Sequence, residues 1–331
     1  MRFPMSLYMT MARYLLGKKM SGQEQFPLVL MLEPTHRCNL TCAGCGRIRE
    51  YYDTLTQEMS FEDCLRSVDE ANAPVVTITG GEPLLYPRVD DLVKEVIARG
   101  KHIYFCTNGQ LLEESLHRFK PSSHFTWNVH FDGTEPVHDQ IICRQGGFQK
   151  ALAGVKAAKA AGFRVSTNTT VYRETSVSDV ENLFEQLKLA GVDGILVAPG
   201  FSYEDVIRDV FLTRTEIVNK FRQIRKWGKR FPIISNPIYM EFLAGRRSLK
   251  CTPWGNPTRN PRGWKSPCYL ITDTHYETFA ELMEKTDWEH YASGSDERCA
   301  QCMVHCGFEP TIVRNMGGRD LITMLKWNLY A

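Results

Sequence analysis

The stretch Cys38-Asn39-Leu40-Thr41-Cys42-Ala43-Gly44-Cys45 decides how the rest of this chain is interpreted, because it places three thiols within eight residues. Thiolates at a C-x3-C-x2-C spacing can enclose one iron–sulfur cluster, and a four-iron cluster held by three sulfurs keeps one iron open for an outside ligand. Zinc with His36 as a fourth ligand is one alternative. A disulfide between two of the cysteines is another, so the loop alone leaves three interpretations open.

A second motif, Gly80-Gly81-Glu82-Pro83, follows a strand-like run that ends at Thr79. Paired glycines let the backbone approach a ligand closely because they carry no Cβ. The two motifs in this order resemble those of the radical S-adenosylmethionine (SAM) superfamily. The resemblance implies that one electron from a [4Fe–4S] cluster cleaves SAM to a 5′-deoxyadenosyl radical, and that the cluster ligands are Cys38, Cys42 and Cys45. It also implies that the SAM amino group is received by the turn residues Gly80, Gly81, Glu82 and Pro83.

Composition and charge narrow the class of protein. The chain has 331 residues, 40 basic against 38 acidic side chains and a net charge of +2, without a long block of one sign. This balance argues against a nucleic-acid partner. Eleven cysteines in a chain with no signal-peptide pattern and no long apolar run indicate a reducing cytoplasm and metal ligation rather than a disulfide framework.

Six strand-like runs alternate with helical segments, which predicts a parallel sheet with right-handed crossovers. The runs begin near Leu28, Val75, His102, Phe125, Arg164 and Val192. The superfamily resemblance implies an α/β fold, a partial (β/α)6 TIM-like barrel with a small Cys-rich C-terminal extension. We expect an N-terminal amphipathic helix over 1–26, the barrel over 27–230 and the extension over 231–331.

In such a barrel the chemistry takes place at the C-terminal ends of the strands. The third strand ends Cys106-Thr107-Asn108, and side chains alternate along a strand, so Cys106 faces the lumen if Asn108 does. Asp132 after strand four and Asn168 on strand five lie at the same edge. Asn108, Asp132 and Asn168 are therefore candidate SAM-binding residues, and ordinary polar residues of a barrel mouth are the alternative.

Five cysteines follow the predicted barrel in the pattern C-x16-C…C-x2-C-x3-C, namely Cys251, Cys268, Cys299, Cys302 and Cys306. Five thiols in a compact tail usually ligate a metal. The array resembles the twitch-type extension of other radical SAM enzymes, which implies an auxiliary [4Fe–4S] cluster on four of the five. On that analogy Cys306 is the spare thiol, although it could replace any of the others. Structural zinc is the alternative.

Several longer sequence segments resemble one subfamily more closely. They include Met31-Leu32-Glu33-Pro34, Phe105-Cys106-Thr107-Asn108, the run from Cys251 to Asn260 and the run from Cys302 to Gly307. These segments are similar to segments of the adenosylhopane synthase family of hopanoid biosynthesis. The resemblance implies addition of the 5′-deoxyadenosyl radical to the alkene of diploptene, a hopene-type lipid, with SAM consumed as a co-substrate. A reductant such as flavodoxin or ferredoxin would supply the electrons.

Cys106 is the candidate catalytic residue for that reaction. Radical addition to an alkene leaves a tertiary carbon radical, and a thiol S–H bond is weaker than the C–H bond that must form. Hydrogen transfer from Cys106 would therefore run downhill; the alternative is that Cys106 is a small buried strand residue. The lumen would also have to shield the radical from water. The aromatic residues at strand ends that could provide this shielding are Phe105, Phe131, Phe201 and Tyr203.

Other function classes stay open. Tail clusters of this kind also occur in radical SAM enzymes that mature peptides or oxidise alcohols by hydrogen abstraction. An iron–sulfur carrier or scaffold is a third class, but it would leave the barrel and the SAM-binding turn without a purpose. Formation of an adenosylated product, as opposed to free 5′-deoxyadenosine, distinguishes the first two.

The N-terminal segment has its own signal. On a helix, one apolar face is formed by Leu7, Tyr8, Met11, Tyr14 and Leu15, while Arg13 points away. Such a basic amphipathic helix could lie on a membrane surface, or the same face could pack against the barrel. We expect a cytoplasmic protein, peripheral on the inner membrane if its substrate is a lipid.

Overall fold

The computed structural model describes residues 2–202, 206 and 209–329. Its strands are β1 (Val29–Leu32), β2 (Val75–Ile78), β3 (His102–Thr107), β4 (Phe125–Phe131), β5 (Arg164–Val171), β6 (Gly194–Pro199), β7 (Thr258–Asn260), β8 (Gly263–Pro267) and β9 (Thr272–Tyr276). They form one sheet in the order β6-β5-β4-β3-β2-β1-β7-β8-β9. The first six are parallel, as predicted, with helices between them.

The helices begin and end at signals that the sequence carries. Ser60 caps one of them by accepting a hydrogen bond of 3.0 Å from the Asp63 amide, as its spacing predicted. The helices are α1 (Met5–Met20), α2 (Arg47–Glu50), α3 (Phe61–Ala71), α4 (Val89–Ala98), α5 (Leu112–Ser115), α6 (Glu135–Ile141), α7 (Gly147–Ala160), α8 (Val177–Leu189), α9 (Arg214–Ile224), α10 (Pro237–Leu243), α11 (Phe279–Lys285), α12 (Trp288–Ser293), α13 (His305–Arg314) and α14 (Gly318–Leu329).

The C-terminal strands continue the sheet on the far side of β1. β7 pairs parallel with β1, so that Met31 lies beside Thr258, and β8 and β9 add antiparallel. The strand that leads into the first cysteine loop is therefore flanked on both sides, by β2 and by β7. The predicted boundary near residue 230 stays a prediction.

Alternation along the strands decides which side chains face the lumen. Cys106 lies beside Asn128 of β4 on the lumen side, so Phe105 points outward. The Phe105 ring packs 4.9 Å from that of Trp127 under the surrounding helices, and Phe131 packs 5.4 Å from Phe148 of α7. The prediction that Phe105 and Phe131 shield a radical in the lumen is therefore wrong. Tyr203 lies outside the described residues.

Helix α1 lies across the N-terminal ends of the strands. Tyr14 donates a hydrogen bond of 2.7 Å to the Pro27 carbonyl just before β1, and the Thr10 hydroxyl lies 3.4 Å from His102 at the start of β3. The predicted apolar face of α1 is thus turned toward the barrel. No helix in the described part of the chain has the length and hydropathy of a membrane span.

Candidate active site

The first cysteine loop lies where β1 ends. Cys38, Cys42 and Cys45 are half-buried, and their thiols line a cavity of about 40 Å³ together with His36 and the two glycines of the Gly80–Pro83 turn. Burial raises the pKa of the Cys38 thiol to about 12, so binding to iron must displace a proton there. The donor set and the open cavity beside it fit the three-thiolate cluster that the sequence predicted.

His36 was the predicted fourth ligand of the zinc alternative. Its Nδ1 lies 3.1 Å from the Thr54 hydroxyl, and its ring stacks on Tyr51 with the centroids 4.0 Å apart. Burial lowers the pKa of His36 to about 3, so the ring is neutral at physiological pH. Its Nε2 is buried without a hydrogen-bond partner among the described residues. In the same described part of the chain, no group of three His, Cys, Asp or Glu residues is placed to hold a single metal ion, which argues against the zinc alternative.

The glycines of the turn allow it to approach the cysteine loop. A Cβ at Gly80 would collide with the Thr35 carbonyl, and one at Gly81 would collide with the Arg37 carbonyl. Gly80 also has φ +117°, a conformation that favours glycine. The two glycines were predicted to let the turn approach a ligand. In the structure they let it approach the backbone just before Cys38. Whether these glycines also contact SAM stays a prediction.

Glu82 holds this turn to the end of β3. It is fully buried, and its carboxylate accepts hydrogen bonds from the Leu84 amide, the Thr107 hydroxyl and the Asn108 amide at 3.1, 2.9 and 2.9 Å. Burial raises the pKa of Glu82 to about 7. The buried residue Pro83 begins the short 3-10 turn that follows. Glu82 therefore fixes Asn108 beside the cysteine loop, and its part in receiving the SAM amino group stays a prediction.

Asn108 connects β3 to the cysteine loop. Its side-chain amide donates a hydrogen bond of 2.7 Å to the Asn39 side chain, and the same nitrogen lies 3.8 Å from Cys38 Sγ. Its carbonyl oxygen accepts from the Gln110 amide at 3.0 Å, which fixes the orientation of the group. The structure thus brings Asn108 to the first cysteine site.

Cys106 lies one pleat deeper on the same face. Its half-buried thiol receives an N–H from the Asn128 side chain at 3.3 Å, and the Asn128 oxygen in turn accepts from Ser166 at 3.0 Å. Burial raises the pKa of Cys106 to about 11, so the sulfur keeps its hydrogen at neutral pH. The three side chains form a row across β3, β4 and β5.

Asp132 and Asn168 are placed differently from each other. Asp132 is 1% exposed, and its Oδ1 lies 2.7 Å from Nε2 of His130. Asn168 is half-buried and lies beside His130 in the neighbouring strand β5. Burial lowers the pKa of His130, but the Asp132 carboxylate outweighs this effect and leaves the pKa above its ordinary value. His130 was not predicted from the sequence, although side-chain alternation along β4 places it on the lumen face with Asn128.

The five C-terminal cysteines meet in a second cavity. It has a volume of about 340 Å³, and its lining includes Cys251, Cys268, Cys299, Cys302 and Cys306. A Cβ at Gly307 would collide with Cys251 Sγ, so the start of α13 is packed tightly onto the cysteine before β7. Burial raises the pKa of Cys302 to about 12. Thiols are the donors that an iron–sulfur cluster uses, and an auxiliary cluster on four of these five stays a prediction.

A buried ionic network joins the two cysteine sites, and we call it the Arg47 bridge. Arg47, two residues after Cys45, pairs with the fully buried Glu33 and donates a hydrogen bond of 2.9 Å to the carbonyl of Tyr269, the neighbour of Cys268. Lys265, also fully buried, donates to the same carbonyl at 3.0 Å and pairs with Glu50 at 3.2 Å. Burial lowers the pKa of Lys265 to about 8. The members of the bridge are Glu33, Arg47, Glu50, Lys265 and Tyr269.

Comparison with known proteins places this site in a family. The model of the radical SAM superfamily matches residues 32–187, which contain the first cysteine loop and the Gly80–Pro83 turn. Residues 32–187 therefore carry a radical SAM domain. As a radical SAM protein it uses a [4Fe–4S] cluster and SAM. A second model, described only as a domain of unknown function (DUF3463), matches residues 195–325, and these include the five C-terminal cysteines.

Individual relatives cover different parts of this radical SAM protein. A GTP 3′,8-cyclase of Petrotoga mobilis is 32% identical over 46% of this chain and 50% of its own length, so the chain spans about half of that relative. The subtilosin biosynthesis protein AlbA of Bacillus subtilis is 24% identical over 84% of this chain and 66% of its own length. Streptococcus suis SuiB, solved with its precursor peptide SuiA, superposes with a TM-score of 0.62 and 16% identity over 85% of this chain and 68% of SuiB. SuiB has also been solved with SAM.

Proposed function

We propose that this radical SAM enzyme transfers the 5′-deoxyadenosyl group of SAM to the alkene of a hopene-type lipid, diploptene, and so forms adenosylhopane. The observation that carries the proposal is the Cys106 thiol, which lies on the lumen face next to the strand end that contacts Cys38 through Asn108. The proposal includes a cytoplasmic enzyme that meets its lipid at the inner membrane. Cys38, Cys42 and Cys45 would hold the SAM cluster, and four of the C-terminal cysteines an auxiliary one.

The [4Fe–4S] cluster, when bound, supplies the electron that reduces SAM to methionine and the 5′-deoxyadenosyl radical. That radical adds to the terminal alkene carbon, one C–C bond forms, and a tertiary carbon radical remains. Cys106 then donates its sulfur-bound hydrogen atom and becomes a thiyl radical. One further electron from flavodoxin or ferredoxin and one proton restore the thiol, so each product consumes two electrons.

The chain's own residues support this role of Cys106. A hydrogen-atom donor must keep its hydrogen, and burial keeps the Cys106 pKa at about 11, well above physiological pH. The Asn128 N–H contacts the sulfur, and the Ser166 hydroxyl fixes the orientation of that amide. The thiol is therefore held in one place on the lumen face.

The proposal is tested by anaerobic reconstitution with iron and sulfide, followed by mass spectrometry of the products from SAM and diploptene. An adduct with the combined mass of the lipid and the 5′-deoxyadenosyl group plus one hydrogen is expected. Free 5′-deoxyadenosine without such an adduct would contradict it. No cleavage of SAM at all would favour an iron–sulfur carrier.

Peptide modification by hydrogen abstraction is the second candidate, and the named relatives support it better than the first. AlbA, a bacteriocin biosynthesis protein, matches 84% of this chain, and SuiB was solved with a precursor peptide. In that case the lumen would admit a peptide, the auxiliary cluster would remove an electron, and free 5′-deoxyadenosine would accumulate in step with product. Dehydrogenation of an alcohol would give the same by-product.

A further inference from the structure

Exposed apolar side chains are concentrated on two helices. Of the nine large apolar side chains that are exposed in the described part of the chain, seven lie on α1 or α14. They are Met5, Met9, Leu16 and Met20 on α1, and Leu321, Ile322 and Leu325 on α14. Single exposed apolar residues need no explanation, but a group of seven on two helices marks an interaction surface.

Helix α1 is apolar on two faces. Its inner face carries Tyr8 and Tyr14 toward the barrel, whereas Met9 and Leu16 on the outer face are 62% and 59% exposed. The sequence pattern predicted only the inner face. Packing on the barrel therefore accounts for one half of the apolar surface of α1 and leaves the other half in contact with solvent.

Helix α14 shows the same division. Met324 and Trp327 pack against the core, while Leu321, Ile322 and Leu325 are 51%, 54% and 56% exposed on the other side. A helix with separate core and solvent faces would normally carry polar groups on the solvent face. Here that face is largely apolar.

The two helices meet at one point of the fold. The Trp327 indole donates a hydrogen bond of 3.1 Å to the Ile233 carbonyl, and the Arg2 guanidinium, just before α1, bonds to the same carbonyl. The guanidinium lies 4.5 Å from the centre of the Trp327 ring. The start of α1 and the end of α14 are therefore neighbours, near the N-terminal ends of the strands and away from the cysteine loops.

The charges on these helices are basic. Helix α1 contains Arg13, Lys18 and Lys19 and no acidic residue. Helix α14 contains Arg319 and Lys326, and its one acid, Asp320, is paired with Arg247 at 2.7 and 3.0 Å. Apolar side chains flanked by basic ones fit the interface of an anionic bilayer, and two such surfaces on separate copies would repel each other.

We propose that the outer faces of α1 and α14, the two-helix surface, dock this protein onto an anionic lipid bilayer. Apolar side chains of both helices enter the boundary between headgroups and acyl chains, and the basic side chains bind lipid phosphates. The protein then lies on the membrane without crossing it. The inference goes beyond the proposed function, because it holds whether the substrate is a lipid or a peptide.

The test is vesicle flotation of the reconstituted full-length protein without SAM or substrate. Two paired variants, Met9→Glu with Leu16→Glu and Ile322→Glu with Leu325→Glu, should each lower the partition coefficient on vesicles of phosphatidylcholine and phosphatidylglycerol at least tenfold. The matched control is Leu189→Glu on α8, because Leu189 is 85% exposed but lies outside the two-helix surface. It should bind as the parent does. Circular dichroism spectra and melting temperatures equal to those of the parent show that the variants are folded.

Lipid composition separates the electrostatic contribution to vesicle binding from the apolar one. Vesicles of phosphatidylcholine alone should bind several-fold more weakly than anionic ones, and Arg13→Glu with Lys19→Glu should remove most of that difference. Parent protein that stays with the unbound fraction on anionic vesicles would overturn the proposal. So would paired variants that bind as the parent does, or a parent dimer in solution that these variants dissociate while vesicle binding is absent. None of these outcomes depends on turnover, so this proposal can fail while the proposed function stands.

Discussion

The two cysteine sites of this protein are built by different means. The first uses three thiols from one loop around a cavity of about 40 Å³, and the second uses five thiols from distant segments around about 340 Å³. The first depends on glycines at 80 and 81, which bring a turn within reach of the loop backbone, whereas the second depends on packing of α13 against the segment before β7. The local site could therefore be recognised from its cysteine spacing together with one further motif, Gly80-Gly81-Glu82-Pro83. The assembled site could be recognised only as a set of cysteines without an assigned role.

The largest expected effect comes from removing a ligand of the first site. Cys42→Ala leaves two thiols in the loop, so the cluster that reduces SAM should be lost and 5′-deoxyadenosine formation should fall to background. Cys143→Ala removes an exposed cysteine close by and should cleave SAM normally. If the Cys42→Ala variant cleaved SAM at the parental rate, this loop would not hold the cluster that cleaves SAM.

The second site should keep its metal when the first is destroyed. A variant with Cys38, Cys42 and Cys45 replaced by Ala should retain about four irons and four sulfides per chain after anaerobic reconstitution, read from chemical analysis and the visible spectrum. Stoichiometric zinc, or no metal, would show that the C-terminal thiols do not form an auxiliary cluster.

Cys106→Ala separates radical formation from radical quenching. SAM cleavage and formation of the carbon–carbon bond should continue, because neither cluster ligand nor SAM contact is changed. The tertiary radical should then lose a hydrogen or become hydroxylated, which mass spectrometry of the lipid product detects. A normal yield of saturated adduct would mean that another group supplies the hydrogen.

The Arg47 bridge sharpens the comparison, because it joins the sites. Lys265→Met keeps the size of the side chain but leaves Glu50 without its buried partner, so the free energy of unfolding should fall by about 3 kcal/mol, measured by denaturant titration. Lys150→Met breaks an exposed ion pair with Glu114 and should leave the unfolding midpoint nearly unchanged. Equal midpoints for the two variants would show that the bridge does not stabilise the fold.

Sequence patterns predicted the parallel strands within a few residues, because β-branched runs and turn signals are local. They also placed Cys106 on the lumen side. The same alternation places the neighbouring residue Phe105 on the outside, so the predicted shielding role of Phe105 was inconsistent with the predicted position of Cys106. The bridge could not be predicted, since Lys265 and Arg47 are ordinary charged residues until β7 and β8 join the sheet beside β1. The outer face of α1 was missed because one apolar face already explained the helix.

The pairing of β1 with β7 has a consequence for the order in which this protein is completed during synthesis. Met31 lies beside Thr258, so roughly 230 residues are made after β1 before its second neighbour exists, which takes on the order of 10 to 50 s at typical rates of translation. During that time the first cysteine loop has neither β7 nor Lys265 and Tyr269 beneath it. Iron–sulfur assembly factors would thus meet a finished loop only once the C-terminal third has left the ribosome.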